Sequence, residues 1–489
     1  MRYIRKSFLP VILILSGMLA LSACSGLSSP AAGAAGTSGG DKGMTNPSQS
    51  SGSGTSGTSE QGQSGASITA GASGTSVPVQ SGTSGTPESS ATAQADNTSE
   101  TAVSSAIPVT SAIPISLETM TLEEKVGQML FPAFRTTPAG APLLVADEAT
   151  LNVIRTWKPG GVVLFASNLD TVPQTAALTS QLQEASRIPL FLGIDEEGGK
   201  VSRLSAAPGL GAVSMPPAEV IGKTGEPDFA REAAAATAAQ LMTLGINLDF
   251  APVADINTNP KNPVIGNRAY GTKPKETAAM VTAALGGYLE GGIIPVIKHF
   301  PGHGDTETDS HLGLAVVPHD RKRLDSVELV PFLAAMKAGA PVIMTAHVNT
   351  PGISDKNLPA TLNPDILTGL LRKELGFKGV IVTDAMEMGA ITKLYGADES
   401  IVMAVEAGAD MLLVPVSLEG ACKAILNAVR TGRIPEKRLD ESVSRILALK
   451  AKFGLIEKKT GSGEPGPQNL VGTDAYRDLV RRINEVAGK

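Results

Sequence analysis

The chain has 489 residues, with 41 Lys and Arg against 47 Asp and Glu, a net charge of −6 and a pI near 5.6. That balance offers no basic excess and argues against nucleic acid as a partner. Its length would hold two or three domains if all of it folded, but the composition excludes this, because the first quarter has too few apolar residues to build a core.

In chain order, residues 1–24 carry Arg2, Arg5 and Lys6, then an apolar run, then small residues before Cys24, the layout of a secretory signal. The run is too short for a spanning helix. Leu21-Ser22-Ala23-Cys24 resembles the bacterial lipobox, which implies that Cys24 is lipidated. The expectation is an exported protein anchored by lipid to the outer face of the cell membrane and facing the cell wall. The other cysteine is Cys422, so a lipidated Cys24 leaves no internal disulfide. Residues 25–113 are almost entirely Ser, Gly, Thr, Ala and Pro, and read as a disordered tether whose Gly/Ser statistics give a span of roughly 50 Å.

Residues 114–459 read as one domain. Eight β-rich apolar runs recur at 126–134, 160–166, 189–195, 246–256, 293–300, 341–348, 379–386 and 409–415. Between them lie helical patterns such as 228–245, 274–292 and 326–340, each closing on or near a glycine. Alternation of this kind predicts an α/β fold, a (β/α)8 barrel of the TIM type, with a doubly wound open sheet as the alternative. In such a barrel the chemistry belongs at the C-terminal ends of the strands. Asp195 and Glu196, Asp255 and Asn257, Lys298 and His299, His347, and Asp384 all fall at the ends of predicted strands. Solubility alone also puts charges there, but their recurrence on one face is harder to assign to it.

Three of the five histidines, His299, His303 and His311, crowd into KHFPGHGDTETDSHLG, residues 298–313. A metal site, an acid/base loop and a plain polar loop all fit that clustering. The helical HExxH arrangement of a zinc site is missing, and no metal ligand set is assigned. Asp309 lies two residues before His311, close enough to accept a ring N–H and favour the protonated imidazole. Asp384, in GVIVTDAMEMGAI, could be a nucleophile toward a sugar carbon, a metal ligand or a loop cap.

Taken together and in this order, GIDEEGGKVSRL (193–204), GNRAYG (266–271), KHFPGHGDTETDSH (298–311) and GVIVTDAMEMGAI (379–391) resemble glycoside hydrolase family 3. Within it they are most similar to the bacterial β-N-acetylglucosaminidases of cell-wall turnover. The resemblance implies a retaining, exo-acting hydrolase without a cofactor. Asp384 would be the nucleophile, His311 the acid/base and Asp309 its partner. Asp195 and Arg203 would lie around the terminal sugar, and Arg268, Lys298 and His299 would bind its hydroxyls and acetamido region, while His303 would be structural. The substrate implied is an N-acetylglucosamine-containing muropeptide or glycoside, taken by a monomer. A phosphorylase, a β-glucosidase-type hydrolase and a non-catalytic sugar-binding lipoprotein are the competing readings. The single Trp and 3% aromatic content suit a short pocket better than a long polysaccharide cleft. Two departures stand out. Lys200 occupies a position where relatives commonly have Arg. Residues 460–489 read as a tail resembling the opening of the family's second domain, the rest of which is expected to be absent.

Overall fold

The computed structural model describes residues 115–307, 314–456 and 470–488. Cys24, the tether segment, Asp309 and His311 lie outside the described residues.

Eight parallel strands carry the fold, each inside one of the eight apolar runs. They are β1 (Leu130–Phe131), β2 (Gly161–Val163), β3 (Phe191–Ile194), β4 (Leu248–Asp249), β5 (Ile294–Phe300), β6 (Val342–Thr345), β7 (Val380–Val382) and β8 (Leu412–Leu413). Every residue in them is buried, as expected of strands covered on both faces. Neighbours in sequence pair in parallel from β2 to β7. The first strand pairs with the last, Leu130 opposite Leu412 and Phe131 opposite Leu413. Parallel bridges join Ala133 to Val163 and Val382 to Met411, so each strand has a parallel neighbour on both sides. This is a TIM-barrel-like α/β fold, and the sequential pairing order differs from that of a doubly wound sheet.

The inside of the strand layer is filled rather than hollow. Phe131 lies 5.5 Å from Phe250 and 6.5 Å from Phe191 between ring centroids. Two strand glycines make room for these rings. A Cβ at Gly193 would come within 2.9 Å of both Phe131 and Phe250, and one at Gly161 within 2.7 Å of Phe131. Replacing either by Ala therefore forces the packed rings apart.

The helices form where the apolar periodicity placed them, with one difference. The patterns at 228–245 and 274–292 become helices Pro227–Thr243 and Pro274–Glu290. Their small residues let the backbones approach, since a Cβ at Gly287 would lie 2.2 Å from the Arg231 carbonyl oxygen. The pattern at 326–340 instead splits between helices Arg321–Ser326 and Val330–Lys337. Pro331 explains the break, because its ring lacks an N–H and is tolerated only in a helix's first turn. At the other end, helix Asp474–Val486 buries Leu479 and Ile483 in the cluster that holds Phe229, Ala230 and Ala233, and Arg482 reaches Glu232 at 2.7 Å. Among the described residues, no helix is long and apolar enough to cross a membrane.

Candidate active site

The residues immediately after β3 and those in β5 build a buried charge lattice. Lys298 sits in β5 with a side chain only 2% exposed, and its ammonium meets Asp195 at 2.9 Å and Glu197 at 2.6 Å. Arg268, delivered by the turn Gly266–Arg268, grips Glu197 with two N–H groups at 2.8 and 2.7 Å. Arg203 adds a longer contact to Asp195 at 3.3 Å. Asp195, Arg203, Arg268 and Lys298, each singled out from the sequence, thus lie together in the structure, with Glu197 linking Lys298 to Arg268.

Burial pushes the Lys298 ammonium down, but Asp195 and Glu197 outweigh it and hold it above its usual range. Burial likewise pushes the Glu197 carboxyl up, and Lys298 and Arg268 more than offset that, keeping it far below the usual carboxylate range. Folded Glu197 therefore binds its proton less tightly than in the unfolded chain. Its contribution to stability is present above the unfolded value of about 4.3 and is lost as pH falls through the folded value. Glu197→Gln removes the partner of one buried cation and one of the two partners of the other. We expect a loss of roughly 3 kcal/mol in urea unfolding at pH 7. A loss below about 0.5 kcal/mol, the size of an ordinary surface substitution, would show that Glu197 does not hold the lattice.

Beneath this layer, Glu196 is 2% exposed. It accepts hydrogen bonds from the N–H groups of Arg203 at 2.7 Å and Leu204 at 3.0 Å. Burial outweighs these donors and raises its carboxyl to about 7. Its own N–H donates to Asp249 at 2.9 Å. Asp249 is fully buried at the end of β4, and burial raises it well above the carboxylate range. The two acids shape the turn under Asp195.

The histidines divide by their partners. His299 faces Asp255 through Nδ1 at 2.6 Å and Arg268 through Nε2 at 3.3 Å. His303, 2% exposed, donates its backbone N–H to Asp255 at 2.7 Å, and its ring meets the Thr306 hydroxyl at 3.0 Å. Burial lowers the His303 imidazole below its usual range, favouring the neutral ring. Asp255 orients both residues. Burial pushes its carboxyl up, and His299 and then His303 more than reverse this. Gly304 lets the loop press onto the end of the fourth strand region, because a Cβ there would lie 1.8 Å from the Ile256 carbonyl oxygen.

Asp384 follows β7. Its Oδ1 accepts the Ala385 N–H at 2.7 Å, while Oδ2 accepts no hydrogen bond from the described residues. Burial pushes this carboxyl up, but His347, His299, the Ala385 N–H and Lys298 together bring it below its usual range. It is a carboxylate at neutral pH. His347, fully buried after β6, turns Nε2 toward the Ala385 carbonyl at 3.0 Å and Nδ1 toward the Thr361 hydroxyl at 2.8 Å. A carbonyl oxygen only accepts, so Nε2 carries a proton. An ionised carboxylate with one oxygen uncommitted, beside several fixed donors, can attack an electrophilic carbon held by those donors.

Residues 121–449 match the model of the glycosyl hydrolase family 3 N terminal domain. The chain belongs to glycosyl hydrolase family 3. A β-hexosaminidase A of Pseudoalteromonas piscicida is 34% identical over 371 residues, covering 68% of this chain. The chain spans less than two thirds of that relative, 62% of its length. Among solved structures, a glycoside hydrolase family 3 β-N-acetylglucosaminidase from Paenibacillus sp. is 42% identical with a TM-score of 0.69, over 75% of this chain and 69% of that one. A β-glucoside phosphorylase, BglX, bound to 2FGlc, is 26% identical with a TM-score of 0.69, over 76% of this chain and 65% of that one.

Proposed function

We propose that this family 3 member is a retaining, exo-acting β-N-acetylglucosaminidase on a single (β/α)8 catalytic domain, releasing terminal N-acetylglucosamine from peptidoglycan fragments or related glycosides. The observation that carries the proposal is the ionised Asp384 carboxylate just after β7, with Oδ2 uncommitted among the described residues and His347, His299 and Lys298 close enough to favour its charge. Asp384 attacks the anomeric carbon while His311, charged and oriented by Asp309, gives its proton to the departing oxygen. His311 then takes a proton from water as the water displaces Asp384, and two inversions give net retention. Lys298, Arg268, His299, Asp195 and Arg203 fix the terminal sugar, so that binding is spent on positioning.

The names borne by the Pseudoalteromonas and Paenibacillus proteins support the 2-acetamido specificity. The similarity to a β-glucoside phosphorylase supports a second reading, in which phosphate replaces water. A histidine acid/base repels an anionic acceptor less than a carboxylate would. Turnover of chromogenic β-glycosides that differ only at C2, with and without phosphate, decides between them. We expect faster release from the 2-acetamido substrate, free sugar as product and no rate gain from phosphate. Accumulation of a sugar 1-phosphate would establish the phosphorylase, and preference for the glucoside would overturn the N-acetyl assignment.

A further inference from the structure

Apart from the strand-end site, three potential metal ligands converge where the chain after β5 meets the helix pair that follows. Asp305 and His319 face each other, His319 Nε2 against Asp305 Oδ2, with side chains 20% and 24% exposed. A carboxylate oxygen of Glu328 completes the group, and the three ligand atoms lie within 4.8 Å of one another. We propose that Asp305, His319 and Glu328 form a binding site for a divalent transition cation of the zinc type.

The second, independent observation is the state of Glu328. The residue is 3% exposed, and among the described residues its enclosed Oε2 has no hydrogen-bond partner. A buried carboxylate oxygen left in that state costs free energy, which a cation would recover. The other oxygen, Oε1, is held by Arg323 at 3.1 Å, so the guanidinium fixes the carboxylate and leaves Oε2 for a ligand. Gly302 presses on the same side chain, since a Cβ there would come within 2.9 Å of the Glu328 Cβ. Glu328 is therefore the rigid ligand, and the two partly exposed residues are the adjustable ones.

The donor set selects the ion. One imidazole nitrogen and two carboxylate oxygens suit zinc and its neighbours in the first transition row, whereas calcium and magnesium favour oxygen alone. A zinc with bonds of about 2.0–2.2 Å would take the place of the direct contact between His319 Nε2 and Asp305 Oδ2, the imidazole giving up that proton, with the two partly exposed side chains opening around the ion next to Glu328. Partial exposure lets water take the fourth position. The two carboxylates exceed the single Arg323 charge, so the site attracts a cation despite the guanidinium. Binding there would brace the chain leaving β5 against the turn before Val330.

The test uses the full chain, treated with EDTA and exchanged into chelator-free buffer, with zinc chloride titrated calorimetrically. We expect one zinc per chain for the native protein, and at least a tenfold loss of affinity for His319→Ala and for Glu328→Gln, with circular dichroism confirming that both are folded. Crystals soaked in zinc provide a readout that needs no variant, with anomalous density expected between Asp305, His319 and Glu328. No uptake at millimolar zinc, equal affinity in both variants, or anomalous density confined to other histidines would each reduce the cluster to a pair of ion pairs and overturn the proposal.

Discussion

Replacing Asp384 by Ala is expected to lower turnover by more than about 10³-fold while leaving the fold and its unfolding midpoint close to native. The size follows from the role proposed, since a covalent route that loses its nucleophile retains only the positioning supplied by the other groups. The small effect on stability follows from the structure. Among the described residues the carboxylate makes one hydrogen bond, to the adjacent Ala385 N–H, and its links to distant residues are through charge rather than hydrogen bonds. Burial opposes its charge, and His347 and His299 offset that cost, so removing it trades one term against another. Substrate should still bind, because Lys298 keeps its contacts with Asp195 and Glu197, and Arg268 its contacts with Glu197. The informative measurement is therefore kcat and the substrate dissociation constant side by side. Activity within tenfold of the native enzyme would remove Asp384 from the chemistry, and loss of binding with kcat unchanged would make it a substrate anchor.

How much of this was legible in the sequence depends on whether a residue's partner lay nearby in the chain or in space. The eight strands were readable because strands buried on both faces must be apolar almost without interruption, and Phe191–Ile194 and Ile294–Phe300 are buried throughout. Lys298 and Asp195 were readable as charges ending such runs. Glu197 was not singled out, although it binds both Lys298 and Arg268. In Asp195-Glu196-Glu197 three acids follow one another, and nothing local tells which faces a cation, which is pushed up by burial and which meets the substrate side. Asp255 was visible as a strand-end acid, but its pairing with His299, 44 residues away, needs the β4–β5 adjacency to be seen. His303, read from the resemblance as structural, is bound through Asp255 and Thr306. The Asp305, His319 and Glu328 group had no signal at all. Its members sit in a loop, before one helix and before another, at spacings that match no ligand motif, and only the fold assembles them. Pro331 was the reverse case, a local signal sufficient to break the 326–340 helix.

His311→Ala is expected to separate the two chemical steps. A sugar alkoxide is a poor leaving group and departs only if protonated, so glycosylation of natural substrates should slow by ~10²–10⁴-fold, the usual worth of general acid catalysis. Aryl glycosides with activated leaving groups need little protonation and should suffer far less in that step. Hydrolysis of the intermediate would then limit the rate, because water has lost its general base. Azide needs no base, so it should partly restore turnover of the activated substrate and yield a β-glycosyl azide, the configuration that a double displacement on Asp384 requires. Asp309→Ala should give a milder form of the same pattern, since Asp309 orients the imidazole and favours its charged form without itself moving the proton. Asp384 makes the azide outcome specific. An ionised carboxylate already in place forms the intermediate whether or not His311 is present, so rescue reports on His311 and not on damage to the nucleophile. Equal losses for good and poor leaving groups, with no azide product, would move His311 out of proton transfer and into binding or loop structure.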